Sequence, residues 1–171
     1  LEQENRKLMM NLVLAVFIDV LKKENIRLLK KDFSKIINVA HNYARIEKHF
    51  GEKVVVHRKG ATSAKKGELG IIPGSQGTAS YIVKGKGNKE SFNSCSHGAG
   101  RKMSRKSAQE KLDLEKEKKK LENLGIVHSI RNKRDLDEAS GAYKNIEDVM
   151  KNQKDLVEVV EKLIPLGVIK G

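Results

Sequence analysis

An α+β fold is the architecture this sequence predicts, and three observations predict it. Apolar residues recur at helical spacing near the start and again after residue 100. Between those stretches lie short β-branched runs punctuated by glycine. No internal repeat or low-complexity linker divides the 171 residues, so the pattern is one unit of short strands, glycine-rich loops and flanking helices.

The elements follow in order. Residues 2–30 read as helix, because Leu8, Leu12, Ala15, Val16 and Val20 share a helical period and no glycine or proline interrupts them. Residues 33–49 carry Phe33, Ile36, Ile37, Val39 and Ala40 ahead of His41-Asn42-Tyr43-Ala44. They read either as a strand leading into a short helix or as helix throughout. Val54-Val55-Val56 is a buried-strand run, and Leu69, Ile71 and Ile72 and then Tyr81-Ile82-Val83 are two more. Gly85-Lys86-Gly87-Asn88 is a turn. Residues 101–124 return to helix around Ala108, Leu112 and Leu121, with Gly125 as the stop. Residues 126–130 suit a short strand, and Asn145 is a natural N-cap for residues 146–151. The apolar stretch at 156–163 reads as helix rather than strand, and Pro165 ends it.

Composition narrows the function classes. The chain has 35 Lys plus Arg against 22 Asp plus Glu, a net charge of +13. Such a surplus raises encounter rates with polyanions, nucleic acid and nucleotides among them. Residues 116–120, with Glu115 and Glu117 nearby, read as a solvated helix face. A chain of this length hides about 70% of its unfolded surface, enough for a core. The apolar run at residues 12–18 ends at Asp19, short of the roughly 18 residues a membrane helix needs, so no membrane partner is expected. One cysteine, Cys95, excludes an internal disulfide framework and a cysteine-based zinc finger, and fits a reducing, cytoplasmic setting. The chain opens on Leu1 without a signal-peptide pattern, which reads as the cut edge of a longer protein.

Three glycine-rich clusters could carry chemistry. In Val56-His57-Arg58-Lys59-Gly60-Ala61-Thr62, three donors follow a strand, which suits either a phosphate or an ordinary basic turn. In Gly70-Ile71-Ile72-Pro73-Gly74-Ser75-Gln76-Gly77-Thr78-Ala79-Ser80, Gly74 and Gly77 bracket two polar residues, as in a backbone nest for an anion or a pair of β-turns. In Asn93-Ser94-Cys95-Ser96-His97-Gly98-Ala99-Gly100-Arg101, a histidine precedes small residues that let another molecule approach the backbone. A neutral imidazole there can act as base or nucleophile. A Cys95–His97 thiol–imidazole pair is a weaker alternative.

Taken together, His57-Arg58-Lys59-Gly60-Ala61-Thr62, Gly67-Glu68-Leu69-Gly70-Ile71-Ile72-Pro73-Gly74-Ser75 and Ser96-His97-Gly98-Ala99-Gly100-Arg101 closely resemble the RtcB family of RNA-splicing ligases. So do Gly141-Ala142-Tyr143-Lys144-Asn145-Ile146 and the ending Leu166-Gly167-Val168-Ile169-Lys170-Gly171. The match runs from about His41 onward in unchanged order and implies the C-terminal portion of an RtcB-like catalytic domain. The family joins RNA 3′-phosphate or 2′,3′-cyclic phosphate ends to 5′-hydroxyl ends with GTP and manganese.

The resemblance implies that His97 is the nucleophile that carries GMP, and that Arg105, with Arg101, offsets phosphate charge. It places nucleotide contacts at His41, Asn42, Pro73, Gly74, Ser75, Ser80, Gly98, Ala99, Gly100, Tyr143 and Lys170. Gln76 joins them where many members have methionine. An aromatic such as Tyr143 suits a base, and a lysine in an apolar tail needs a partner. His41 would be a manganese ligand. The remaining ligands, an Asp, a Cys and two His, belong upstream of the matching region, so this chain alone is expected to be inactive. RNA is the implied partner, with an archease-type activator as a further candidate. The alternatives are a non-catalytic RNA- or nucleotide-binding remnant and a subunit completed by a partner chain.

Overall fold

The computed structural model describes residues 2–26 and 36–168. The chain divides into two compact units, Leu1–Ala40 and His41–Gly171. In the first, α1 (Glu2–Lys23) is an unbroken helix with Lys22 and Lys23 in its last turn, where cations complement the helix dipole. Leu8, Leu12, Val16, Phe17 and Val20 are all exposed along it. The part of the expected helix beyond Ile26, and Phe33, lie outside the described residues.

The second unit opens with a hairpin, β1 (Asn42–His49) against β2 (Glu52–Lys59). Neither the short helix nor the continuous helix expected before residue 49 occurs at 42–49. The reason is the turn. Phe50 and Gly51 both have positive φ, 50° and 89°, which a two-residue turn of the mirror-image type requires. That turn folds residues 42–49 back onto the Val54-Val55-Val56 run. Short strands follow: β3 (Ala61–Ser63), β4 (Leu69–Ile72), β5 (Ser80–Gly85) and β6 (Ser94–Ser96). β3 pairs with β6, and β4 with β5, both antiparallel.

The helical stretch at 101–124 is two helices, α2 (Arg105–Lys111) and α3 (Leu114–Asn123). Leu112 is extended between them, and Asp113 caps α3 by accepting from the Lys116 N–H at 2.8 Å. The charged face there is solvated except at Glu117. That carboxylate is buried, accepting from Ser140 Oγ at 3.2 Å and pairing with Lys120. Then come β7 (Val127–His128), 3-10 helices at Lys133–Glu138 and Ser140–Ala142, and α4 (Ile146–Lys151), capped by Asn145 as its sequence predicts.

Residues 157–163 are strand β8 (Val157–Leu163), not helix. It lies antiparallel on β5 with a register shift at Ile82/Val83, so pairing decides between the two readings of a short apolar run. β9 (Gly167–Val168) closes parallel on β7.

Two cores hold the unit. Ile72, Tyr81, Val83, Cys95, Ala99, Ile146, Met150 and Val157 form the first, between the β4–β5–β8 sheet and α4. Leu121, Ile126, Ile130, Leu136 and Ala139 form the second, beneath α3. Among the described residues, no helix is long and apolar enough to cross a membrane.

Candidate active site

His97 follows the last residue of β6, and its place is set from three sides. Its backbone N–H points to the Gly60 carbonyl at 3.4 Å. A Cβ on Gly60 would stand 3.7 Å from the His97 ring, so the two residues are in contact distance. On the far side, the Ala99 N–H donates to the Pro73 carbonyl at 3.1 Å, and a Cβ on Gly98 would sit 3.2 Å from that oxygen. The loop bearing the histidine is thereby stitched to the Pro73 turn. Lastly, the His41 ring stacks on the His97 ring, with centroids 5.1 Å apart and planes 25° apart.

These surroundings set the charge of the imidazole. Burial, and then the His41 ring beside it, hold His97 below its ordinary value of 6.5. At neutral pH the ring is uncharged and keeps a lone pair. Cys95 lies in the first core, and burial pushes its thiol up to about 11. It is not a thiolate and does not form the thiol–imidazole pair.

The turn at residues 73–80 is closed on itself. The Ser75 N–H donates to Thr78 Oγ1 at 2.6 Å, the Gly74 N–H to Ser80 Oγ at 3.3 Å, and the Thr78 N–H to the Ser75 carbonyl at 3.2 Å. Of the two readings of this cluster, the turn is the one realised for Gly74 and Ser75, whose N–H groups are engaged inside it. Gly74 is obligatory there, because a Cβ would stand 2.2 Å from the Ala79 carbonyl oxygen. Gln76 is buried and donates to the Asp135 carbonyl at 3.4 Å, while its Oε1 is buried without a hydrogen-bond partner.

A charged chain lies beyond Gly100. The Arg101 guanidinium sits 5.0 Å from the centre of the Tyr143 ring, and its Nη1 donates to the Tyr143 hydroxyl at 3.0 Å. That hydroxyl donates to Glu138, which also takes Arg101 at 3.5 Å and Arg105 at 3.2 Å. Burial, and then Glu138, push the Tyr143 phenol above its ordinary value. Arg105 is exposed and also approaches Asp137 at 3.7 Å. Arg101 Nη2 is buried and has no hydrogen-bond partner among the described residues.

The structure therefore joins His41, His97, Gly98, Ala99, Pro73, Gly74, Ser75 and Ser80 through contacts, and links Gly100, Arg101, Tyr143 and Arg105 in a second cluster. Asn42 is exposed at the start of β1, opposite Lys59. Lys170 lies outside the described residues. Glu138 is one residue the sequence reading missed. The readable signal was the Asn132…Asp135 capping box that starts its 3-10 helix.

The neutral imidazole and the close backbone approach at Gly60 and Gly98 are compatible with a phosphate beside His97. A pair of manganese ions does not fit the described residues by themselves. No group of three His, Cys, Asp or Glu side chains among them could hold a metal, and His41 supplies a single nitrogen.

The comparisons bear on the same residues. The model of one protein family, described as "tRNA-splicing ligase RtcB", matches residues 2–171. "RNA-splicing ligase RtcB" of Escherichia coli K12 is 48% identical over 135 residues, covering 79% of this chain and 32% of that protein. "RNA-splicing ligase RtcB1" of Escherichia coli ATCC 25922 is 43% identical over 167 residues, covering 98% of this chain and 40% of that protein. "tRNA-splicing ligase RtcB" of Pyrococcus horikoshii is 36% identical over 189 residues, covering 98% and 22%. The chain spans less than half the length of these curated relatives.

Proposed function

This chain belongs to the RtcB family, and from that premise we propose that it carries the nucleotide-accepting part of an active site that joins RNA ends. The observation that carries the reading is His97 itself. It is a neutral imidazole stacked on His41, in a loop tied to the Pro73 turn.

In this reading a ring nitrogen of His97 attacks the α-phosphorus of GTP. The N–P bond forms as the bond to pyrophosphate breaks, and pyrophosphate leaves. GMP then passes from His97 to an RNA 3′-phosphate, and the ring is restored. The 5′-hydroxyl of a second RNA end displaces GMP, which leaves as the phosphodiester forms. RNA ends that arrive as 2′,3′-cyclic phosphates are first opened to the 3′-phosphate.

Arg101 and Arg105 balance phosphate charge, at the expense of their pairing with Glu138. Pro73, Gly74, Ser75, Gln76, Ser80, Gly98, Ala99, Gly100, Tyr143 and Lys170 surround the nucleotide, with Asn42 beside His41. Manganese belongs to the reaction, and His41 would be one ligand. The rest come from outside these residues, so the chain is the C-terminal portion of the catalytic domain and does not act alone. A cytoplasmic setting and an archease-type activator go with this reading.

The test is RNA joining. One arm uses the 171-residue chain. The other uses a chimera in which this chain replaces the matching segment of the 43%-identical Escherichia coli relative. With GTP and Mn²⁺, the chimera is expected to join a 3′-phosphate RNA to a 5′-hydroxyl RNA, and the chain alone is not. Robust joining by the chain alone contradicts the incomplete site. RNA binding by a chimera that never joins ends favours a non-catalytic binding remnant.

A further inference from the structure

We propose that Arg58 is a positioning residue: its guanidinium ties the strand that follows His41 to the segment that leads into His97. The inference deepens the function just proposed, since it concerns how the candidate nucleophile is held.

The sequence offered Arg58 as a phosphate donor, and the structure gives it other work. Arg58 is 1% exposed, while its neighbours His57 and Lys59 are exposed, as the alternation of a strand dictates. Its five N–H donors meet five acceptors. Nε donates to Ser94 Oγ at 2.9 Å. Nη1 donates to Glu47 Oε1 at 2.7 Å and to the Tyr43 hydroxyl at 3.3 Å. Nη2 donates to Glu47 Oε2 at 2.9 Å and to the Phe92 carbonyl at 2.8 Å. No donor is left for a phosphate.

The partners fall into two groups. Tyr43 and Glu47 are on β1, whose first residue follows His41. Ser94 begins β6, and Phe92 lies two residues ahead of it. Phe92 and Asn93 both have positive φ, 55° and 51°, a conformation that asparagine tolerates and that costs a bulky residue such as phenylalanine. Arg58 grips the Phe92 carbonyl, His49 packs on the Phe92 ring at 4.9 Å, and Glu47 accepts from both Arg58 and His49. The backbone path is weaker. β3 and β6 share only three residue pairs, and the His97 N–H to Gly60 carbonyl contact is 3.4 Å long. The guanidinium is a side-chain bridge from β1 to the segment that leads into His97, and only a planar fork can make all five of its hydrogen bonds. A lysine carries the charge but not the geometry.

The test reads geometry by NMR on the 171-residue chain: the nuclear Overhauser effect between the His41 and His97 ring protons. It is compared in the wild type, Arg58→Lys and Glu47→Gln. Fold retention is read from the resonances of the second core, Leu121, Ile126 and Leu136. The expected result is a clear ring-to-ring signal in the wild type and its loss in both variants, with the second core unchanged. Arg58 is overturned as a positioning residue by a wild-type-strength signal in either folded variant. It is equally overturned if both variants unfold, because the cluster would then be a general stability element. Failure of GMP transfer to His97, with the ring signals as expected, removes the proposed function and leaves this inference standing.

Discussion

His97 and Cys95 stand two positions apart and differ in chemistry because of what surrounds them. The thiol is packed in the first core and keeps its proton. The imidazole is half-buried against a second imidazole and gives its proton up early. A histidine pKa lowered by folding means that the folded chain binds fewer protons. The stabilising difference is present above the unfolded value, about 6.5, and is lost as pH falls below it. We expect the His97 ring, followed by NMR, to titrate below 6.5 and to move up toward that value in His41→Ala. An unmoved His97 in that variant would contradict the part assigned to His41. The importance of His97 was legible because glycines flank it. The roles of Glu47 and Glu138 were not, because each depends on an arginine far off in sequence, Arg58 at 11 positions from Glu47 and Arg105 at 33 from Glu138.

At the scale of elements, glycine positions separate two kinds of constraint. Gly51 needs a positive φ and has open space around it, whereas Gly74 has ordinary space for no side chain at all. Gly51→Ala should cost about 1–2 kcal/mol, the left-handed penalty for an L-residue. Gly74→Ala should cost about 1–3 kcal/mol through overpacking and should also disturb the His97 loop, because Pro73 holds Ala99. Urea unfolding measures both, and a neutral Gly74→Ala would contradict the packing account. Strands with β-branched runs and capped helix starts could be read from sequence. β1, β8 and the break between α2 and α3 could not. Hairpin pairing sets the first, pairing with β5 the second, and the Asp113 cap the third.

At the scale of the molecule, the +13 charge pointed to polyanions in general, and the proposed function assigns part of it to a phosphate near His97. The basic residues do not all serve it. Arg58 is fully occupied inside the fold, and Arg101 and Arg105 share Glu138. Family membership was legible because the motifs keep their order, and the chain covers under half the length of these relatives. The most direct test of the account is to treat the chimera with GTP labelled at the α-phosphorus and Mn²⁺ and to locate the label. The account predicts one protein-bound GMP on His97, stable in alkali and released by acid as an N–P bond requires, and absent in His97→Gln. Label on another residue, or label that survives His97→Gln, would contradict it.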